Sequence, residues 1–127
     1  MNVVRYRIDE LTQPAQLVET LPDGALRCQA CAHRCLIKPS RRGICQVRFN
    51  QDGILRSPAG YVAGLAADPV EKKPFNHFLP GSKALTFGML GCNFHCGYCQ
   101  NWFTSQALRD PASNPSLNHI TRLDAQE

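Results

Sequence analysis

The sequence predicts an α/β protein built in two parts. The first part, residues 1–83, is a small cysteine-rich module with many loops and hairpins, and the second, residues 84–127, begins with a strand. Three observations support this prediction: apolar residues at helical spacing near the N-terminus, a hairpin signal in the middle, and a short apolar run directly before a group of cysteines.

Each element can be justified in order along the chain. Residues 8–21, IDELTQPAQLVETL, carry apolar side chains close to helical spacing, with Pro14 suited to a first turn, so we predict a short helix. Segments 47–49 and 54–57 flank NQDG, which is typical of a hairpin with Asp-Gly at its bend. The run ALTFGML at 84–90 is bounded by glycines and predicts a buried strand.

Composition points to a globular protein of the cytoplasm. The chain has 127 residues, of which 43% are hydrophobic and 19% charged. It contains no apolar run near 18 residues, so we expect neither a membrane span nor a membrane partner. The N-terminus MNVVRYRIDELTQ lacks the apolar core of a secretory signal. In a reducing cytoplasm, seven clustered cysteines more often bind metal or perform redox chemistry than form disulfides.

Basic residues are concentrated around the first cysteines. Residues 27–56 hold seven basic residues against one acidic residue, a net charge of +6. The seven are Arg27, Arg34, Lys38, Arg41, Arg42, Arg48 and Arg56. A basic module of this kind can bind nucleic acid. We favour the simpler interpretation that these cations solvate a small surface and balance bound thiolates, so no nucleic-acid partner is expected.

Three cysteines form the most informative motif. Cys92, Cys96 and Cys99 lie in GCNFHCGYCQN, residues 91–101, which we call the cysteine loop. Thiolates are soft ligands for zinc and iron–sulfur clusters, and a 4Fe–4S cluster held by three of them leaves one iron open to a small molecule. Two alternatives stay open: His95 completes a Cys3His zinc site, or a distant cysteine completes an electron-transfer cluster. His95 is adjacent to Cys96, an awkward position for two ligands of one ion.

A second set of thiols precedes the hairpin. The first cysteine group consists of Cys28, Cys31, Cys35 and Cys45, separated by two, three and nine residues. Four such thiols can form a closed zinc site or a second iron–sulfur site, and Gly43 would permit the tight turn before the last of them. The alternative is that these thiols are free or simply buried. His33 lies between two of the cysteines, and we interpret it as a surface residue.

Three motifs together resemble a known family. The motifs are the first cysteine group with Gly43 before Cys45, the segment Asp68–Ser82 (DPVEKKPFNHFLPGS), and Gly91–Gln106 (GCNFHCGYCQNWFTSQ). They resemble the radical S-adenosylmethionine (radical SAM) superfamily, whose cluster motif is C-x3-C-x2-C. Within it, the chain is similar to the pyruvate formate-lyase-activating-enzyme-like branch and to the radical SAM enzymes of the AmmeMemoRadiSam system. The resemblance covers roughly residues 25–106.

The resemblance implies a mechanism and a fold. Cys92, Cys96 and Cys99 would hold a 4Fe–4S cluster whose fourth iron binds S-adenosyl-L-methionine (SAM), with Tyr98 near the adenine. One electron, from a donor such as flavodoxin or ferredoxin, would cleave SAM to a 5′-deoxyadenosyl radical, which would abstract hydrogen from a substrate. The resembled branch contains oxidoreductases that make a glycyl radical on a partner protein. The strand at 84–90 would be the first of a partial (β/α)6 barrel, with the cysteines after its C-terminal end.

Two further expectations follow from the resemblance and from its limits. Members of the family continue well beyond the cluster loop, so this chain corresponds to an N-terminal piece whose barrel is incomplete, and we expect it to be inactive by itself. The competing hypothesis is a non-enzymatic module with two zinc knuckles that contacts RNA or another acidic partner. Its support is the basic module and the eight potential ligands that the cysteines and His95 provide.

Overall fold

The computed structural model describes residues 3–116 and 120–123. This part of the chain contains two short helices, α1 and α2, and ten short strands. The elements are α1 (Val3–Glu10), β1 (Thr12–Pro14), β2 (Val18–Thr20), β3 (Leu26–Cys28), β4 (Leu36–Ile37), β5 (Phe49–Gln51), β6 (Ile54–Pro58), β7 (Tyr61–Val62), β8 (Gly64–Pro69), β9 (Lys83–Gly88), α2 (Trp102–Ser105) and β10 (Thr121–Arg122). Single 3-10 turns lie at Pro22–Gly24 and Val70–Lys72, and a longer 3-10 segment spans Pro111–Ser116.

The strands form four small sheets rather than one large one. Two sheets have three strands, in the orders β1-β6-β5 and β2-β3-β4, and two are pairs, β10-β7 and β8-β9. Every strand pair in the described residues is antiparallel. The prediction of an α/β fold that begins a (β/α)6 barrel is therefore wrong, because such a barrel joins parallel strands through helices.

The strand before the cysteine loop differs most from the prediction. It pairs along its length with β8, from Gly64↔Gly88 to Pro69↔Lys83. The connection between the two strands is built from turns and reverses the chain, so the strands run antiparallel. The predicted burial of 84–90 is also wrong for most of the run: Leu85 is 71% exposed, whereas Leu90 is 3% exposed.

The helix predicted at 8–21 is also misplaced. Helix α1 ends at Glu10, and β1 and β2 occupy most of the remaining segment. Pro14 has no backbone N–H to continue a helix, but it is tolerated in a strand at the edge of a sheet, and here it pairs with Arg56 of β6. The apolar residues counted as one helical face belong instead to two cores: Leu11 packs in one, and Val18 packs in the other.

The hairpin prediction is confirmed. Strands β5 and β6 pair antiparallel, with Asn50↔Leu55 and Gln51↔Ile54 flanking a two-residue bend. Asp52 has a φ of 52° and Gly53 a φ of 82°, the left-handed conformations that an Asp-Gly hairpin bend favours. The Asn50 side chain also accepts a hydrogen bond from the Gly53 N–H at 2.9 Å.

Two apolar clusters hold these sheets together. The first joins α1 to the segment after α2, through Ile8, Tyr61, Leu90, Ala107 and Leu108. The second joins the β2-β3-β4 sheet to β6, through Leu26, Cys28, Ile37 and Leu55. The first cluster contains Leu90, which directly precedes the cysteine loop, and the second contains Cys28. Among residues 3–116 and 120–123, no helix is long and apolar enough to cross a membrane.

Candidate metal centre

The first cysteine group is built on the hairpin of β3 and β4. Cys28 ends β3, Cys35 directly precedes β4, and the Cys28 N–H donates to the Cys35 carbonyl at 3.0 Å. Cys31 lies in the turn between them, where its carbonyl accepts from the Arg34 N–H at 3.1 Å and Arg34 adopts a φ of 44°. The turn therefore presents three thiols from one short segment. Cys28 is buried, and the other two are half-buried.

The fourth member of the group arrives on a separate turn. The Gln46 N–H donates to the Gly43 carbonyl at 3.0 Å, which closes the turn that carries Cys45. A Cβ on Gly43 would lie 3.3 Å from Ile37 Cδ1 and 3.6 Å from Cys35 Sγ. The turn that the sequence predicted before Cys45 is therefore present, and Gly43 also permits its close packing against the first hairpin.

Gly91 brings the cysteine loop against the first cysteine group. Its φ is 86°, and a Cβ there would lie 2.6 Å from Val47 Cγ1 and 2.9 Å from the Cys45 carbonyl oxygen. The Gly91 N–H also donates to the Thr104 carbonyl at 3.0 Å. Because only glycine fits both the conformation and the space, Gly91 sets the position of Cys92 relative to Cys45.

The three thiols of the cysteine loop are accessible to differing extents. Cys92 and Cys99 are half-buried, and Cys96 is exposed. The Phe94 N–H donates to Cys92 Sγ at 3.4 Å, and Cys99 Sγ lies 3.4 Å from Ser105 Oγ. The thiolate is the form of cysteine that binds metal, and it is a soft ligand suited to iron–sulfur clusters. The donor set of the loop therefore fits an iron–sulfur cluster in its chemistry.

The thiols do not surround a single point. Within residues 3–116 and 120–123, no three or more histidine, cysteine, aspartate or glutamate side chains lie together in an arrangement that could hold one metal ion. Binding a metal at either cysteine group would therefore require side-chain rearrangement within the loops that carry the thiols.

Two residues that the motif analysis did not single out hold the cysteine loop in place. Gln106 is 1% exposed, and its side-chain amide donates to the Phe94 carbonyl at 3.3 Å. Arg109 donates to the same carbonyl at 2.9 Å, to Gln106 Oε1 at 3.1 Å and to the Cys92 carbonyl at 2.9 Å. Arg109 also donates to the Ile44 carbonyl beside Cys45. Gln106 and Arg109 are three residues apart, the spacing of one helical turn, and this spacing is the sequence signal that could have predicted their contact.

Among the aromatic and histidine side chains of the site, His33 contacts the cysteine loop, whereas His95 and Tyr98 are exposed. His33 is exposed, as expected, and its Nε2 lies 2.9 Å from the Asn93 carbonyl oxygen, with its ring 6.0 Å from that of Phe94. His95 is exposed. Tyr98, the predicted adenine contact, is 89% exposed. His33 thus forms a second link between the first cysteine group and the cysteine loop.

The middle motif forms a loop with its own ion pairs. Lys73 and Lys72 lie 2.8 and 2.9 Å from the Asp68 carboxylate, and these contacts hold the pKa of Asp68 below its ordinary value, with Lys73 the larger cause. The Glu71 carboxylate accepts from the Gly81 N–H at 2.7 Å, which lowers the pKa of Glu71. Glu71 therefore closes the loop between β8 and β9 and does not pair with the neighbouring lysines.

Arg42 and Arg56, two of the basic residues between 27 and 56, make ion pairs or hydrogen bonds within the protein. Arg42 pairs with Asp9, and its guanidinium lies 4.5 Å from the centre of the Phe49 ring. Arg56 donates to the Thr12 carbonyl at 2.9 Å and so ties β6 to β1. These two cations bond to groups of the protein itself, which differs from the sequence interpretation that the basic residues solvate the surface and balance bound thiolates.

Comparison with known proteins gives one informative similarity. Over 93 residues, the chain is 44% identical to the uncharacterized protein MJ0808 of Methanocaldococcus jannaschii. The match covers 72% of this chain but 28% of that protein, so the chain spans about a quarter of the length of the curated relative it matches. No family model and no solved structure matches the chain.

Proposed function

We propose that the cysteine loop binds a 4Fe–4S cluster through Cys92, Cys96 and Cys99 and presents it to SAM, as in a cytoplasmic radical SAM oxidoreductase of the pyruvate formate-lyase-activating-enzyme-like kind. The observation that carries the proposal is the loop itself. Three accessible thiols stand on one segment, and a buried glutamine and an arginine fix its backbone. A closed structural site has four protein ligands, whereas three thiols leave a position for a small molecule.

The cluster and SAM would together supply the chemistry, reductive cleavage of SAM to a 5′-deoxyadenosyl radical. The chain's own residues bind and orient. Arg109 fixes the Cys92 backbone, and the Phe94 N–H donates to Cys92 Sγ. Tyr98 extends from the loop with its ring free to stack on an adenine. We propose a small iron–sulfur or flavin protein as the electron donor and a partner protein as the substrate class.

Reconstitution of the 127-residue chain tests the proposal. The protein is purified without oxygen, loaded with iron and sulfide, reduced with dithionite and measured by electron paramagnetic resonance before and after SAM is added. We expect a cluster signal that changes on SAM addition, because SAM binds the open iron. The Cys96→Ser variant should lose this SAM-dependent change together with about four irons per chain.

His95→Ala is the matched control, since it removes a neighbouring potential ligand. Under the proposal, this variant keeps its iron and its response to SAM. Zinc in the anaerobic protein that is lost in His95→Ala would contradict the cluster and establish a Cys3His site. A cluster signal indifferent to SAM would contradict the enzyme and leave an electron carrier.

A second candidate function is a zinc-binding module that contacts RNA or another acidic partner. The observation that favours it is a set of exposed cations around the first cysteine group, Arg34, Lys38 and Arg41. Fluorescence anisotropy with a labelled single-stranded RNA tests it. If the protein binds RNA, the affinity should fall steeply with salt and fall further when all three cations are replaced by glutamine. Salt-independent or absent binding would contradict this candidate.

A further inference from the structure

The two groups of cysteines line one cavity. Its volume is about 380 Å³, and it lies between the β3–β4 hairpin, the turn that carries Cys45 and the start of the cysteine loop. Five thiol-bearing residues contribute to its wall: Cys28, Cys31, Cys35, Cys45 and Cys92. Thus all four members of the first cysteine group line a common cavity, although they come from two separate turns and, among the described residues, their side chains do not converge on one point.

The same wall contains a cationic group with a buried atom that lacks a hydrogen-bond acceptor among residues 3–116 and 120–123. Arg48 lines the cavity, and its Nη1 atom is buried without a hydrogen-bond partner in the described residues. A buried guanidinium nitrogen that lacks an acceptor is costly, and a nearby negative charge offsets that cost. Aspartate and glutamate are absent from the residues that line the cavity, so its cysteines are the groups on this wall that become negatively charged when a metal binds them.

One backbone donor is also directed at this thiol group. The Ile44 N–H lies 3.5 Å from Cys35 Sγ, and Cys28 is only 5% exposed among apolar side chains. Metal binding deprotonates cysteine thiols, and this cavity offers them a neighbouring cation and one backbone donor.

We propose that Cys28, Cys31, Cys35 and Cys45 form a second metal site in this cavity and that Arg48 supplies its counter-charge. Four thiolates around a metal centre carry excess negative charge, whether the centre is a zinc ion or an iron–sulfur cluster. Arg48 neutralises part of that charge through a guanidinium whose Nη1 atom is buried. The proposal stands on its own four thiols and does not require a cluster on the cysteine loop.

A variant that cannot load the cysteine loop separates this site from the one above. In the triple variant Cys92→Ser, Cys96→Ser, Cys99→Ser, we expect the chain to retain one metal centre, measured by elemental analysis after anaerobic reconstitution with iron and sulfide and, separately, with zinc. One zinc per chain, or about four irons with matching sulfide, would each support the proposal and identify the metal. Retention of neither would overturn it, even if the wild-type loop responds to SAM.

Additional variants in the same triple background test the ligands and the counter-charge. Adding Cys31→Ser should abolish metal binding by the triple variant, and an unchanged metal content would overturn the assignment of Cys31 as a ligand. Adding Arg48→Leu should lower the metal affinity, measured in competition with a chelator, about tenfold, as loss of a supporting partner around a metal site typically does. Arg48→Lys, which keeps the charge, should recover most of the loss, and equal weakening by both variants would overturn the counter-charge role. Circular dichroism with metal present checks that each variant folds.

Discussion

The Arg109 guanidinium donates a hydrogen bond to the Cys92 carbonyl at 2.9 Å, and the same nitrogen donates to the Ile44 carbonyl. Ile44 precedes Cys45, so one side chain ties the backbone beside the last thiol of the first cysteine group to the first thiol of the cysteine loop. Hydrogen bonds from a charged donor are stronger than neutral ones. Arg109 is therefore a positioning residue for both groups of cysteines.

Removing Arg109 should loosen the cysteine loop. In Arg109→Ala, the Cys92 and Phe94 carbonyls lose their charged donor, so the loop thiols sample more positions. We expect iron bound to the loop to be extracted by a chelator about ten times faster than from the wild type, in the range typical of lost outer contacts. The absorbance of the iron–chelator complex over time measures the rate.

Arg41→Ala is the matched control, because Arg41 is an exposed arginine of the same charge on the first module. It should leave the extraction rate unchanged. Equal acceleration in both variants would show that net charge, and not the link to the loop, controls iron release.

Gly91 provides a sharp test of the contact between the two cysteine groups. Gly91→Ala forces a Cβ within 2.6 Å of Val47 Cγ1 at a φ of 86°. The left-handed conformation costs about 1–2 kcal/mol and overpacking about 1–3 kcal/mol, so we expect the free energy of unfolding to fall by about 2–5 kcal/mol. Urea denaturation of the metal-free chain measures it.

Two other glycines separate the causes in this experiment. Gly53 has a φ of 82° with open space around it, so Gly53→Ala should cost only the backbone term, about 1–2 kcal/mol. A Cβ on Gly97 would meet no atom within 4 Å, and Gly97→Ala should change stability by less than about 0.5 kcal/mol. A Gly91→Ala cost no larger than that of Gly53→Ala would contradict the steric contact.

Local chemistry decided what the sequence could predict. The Asp52–Gly53 hairpin was predictable because its bend depends on two adjacent residues that favour positive φ. The spacing of Cys92, Cys96 and Cys99 was likewise visible as a motif on one loop. Burial of the strand before that loop was not predictable, because burial depends on what the rest of the chain covers, and Leu85 remains 71% exposed.

Features that depend on contacts between residues far apart in sequence could not be predicted. Leu11 and Val18 have the spacing of one helical face, but they pack in different clusters, so the periodicity gave the wrong element. Arg109 reaches Ile44 across 65 positions of sequence, and a motif search along one loop cannot find such a contact. Arg48 resembled its basic neighbours until the cavity showed where its guanidinium lies.

Asp68 should make a pH-dependent contribution to stability. Its pKa is lower in the folded chain because Lys73 and, to a smaller extent, Lys72 contact its carboxylate. The ion pairs therefore stabilise the fold above the ordinary pKa of aspartate, and this contribution is lost as the pH falls through the lowered value. Carboxyl NMR titration of the wild type should give an Asp68 midpoint below that of an unstructured aspartate.

Variants of the two lysines test the order of these causes. Lys73→Met should raise the Asp68 midpoint more than Lys72→Met does, since Lys73 is the larger cause. Lys38→Met, which removes an exposed lysine that makes no ion pair with Asp68, serves as the control and should leave the midpoint unchanged. An unchanged midpoint in Lys73→Met would contradict the ion pair.

Tyr98 should matter for a ligand and not for folding. Its side chain is 89% exposed, so Tyr98→Ala should change the free energy of unfolding by less than about 0.5 kcal/mol. If the ring stacks on the adenine of SAM, the same variant should need about 5- to 30-fold more SAM to produce half of the spectral change, equivalent to about 1–2 kcal/mol. Titration of the reduced, iron-loaded chain with SAM measures this midpoint.

Tyr98→Phe separates ring stacking from the hydroxyl group. Because stacking needs only the aromatic face, Tyr98→Phe should titrate like the wild type, and Tyr98→Ala should not. Phe103→Ala controls for loss of an exposed aromatic ring from the adjacent helix, since Phe103 is 53% exposed, and it should keep the wild-type midpoint. Wild-type SAM affinity in Tyr98→Ala would remove this residue from the binding site while leaving the three thiols as its basis.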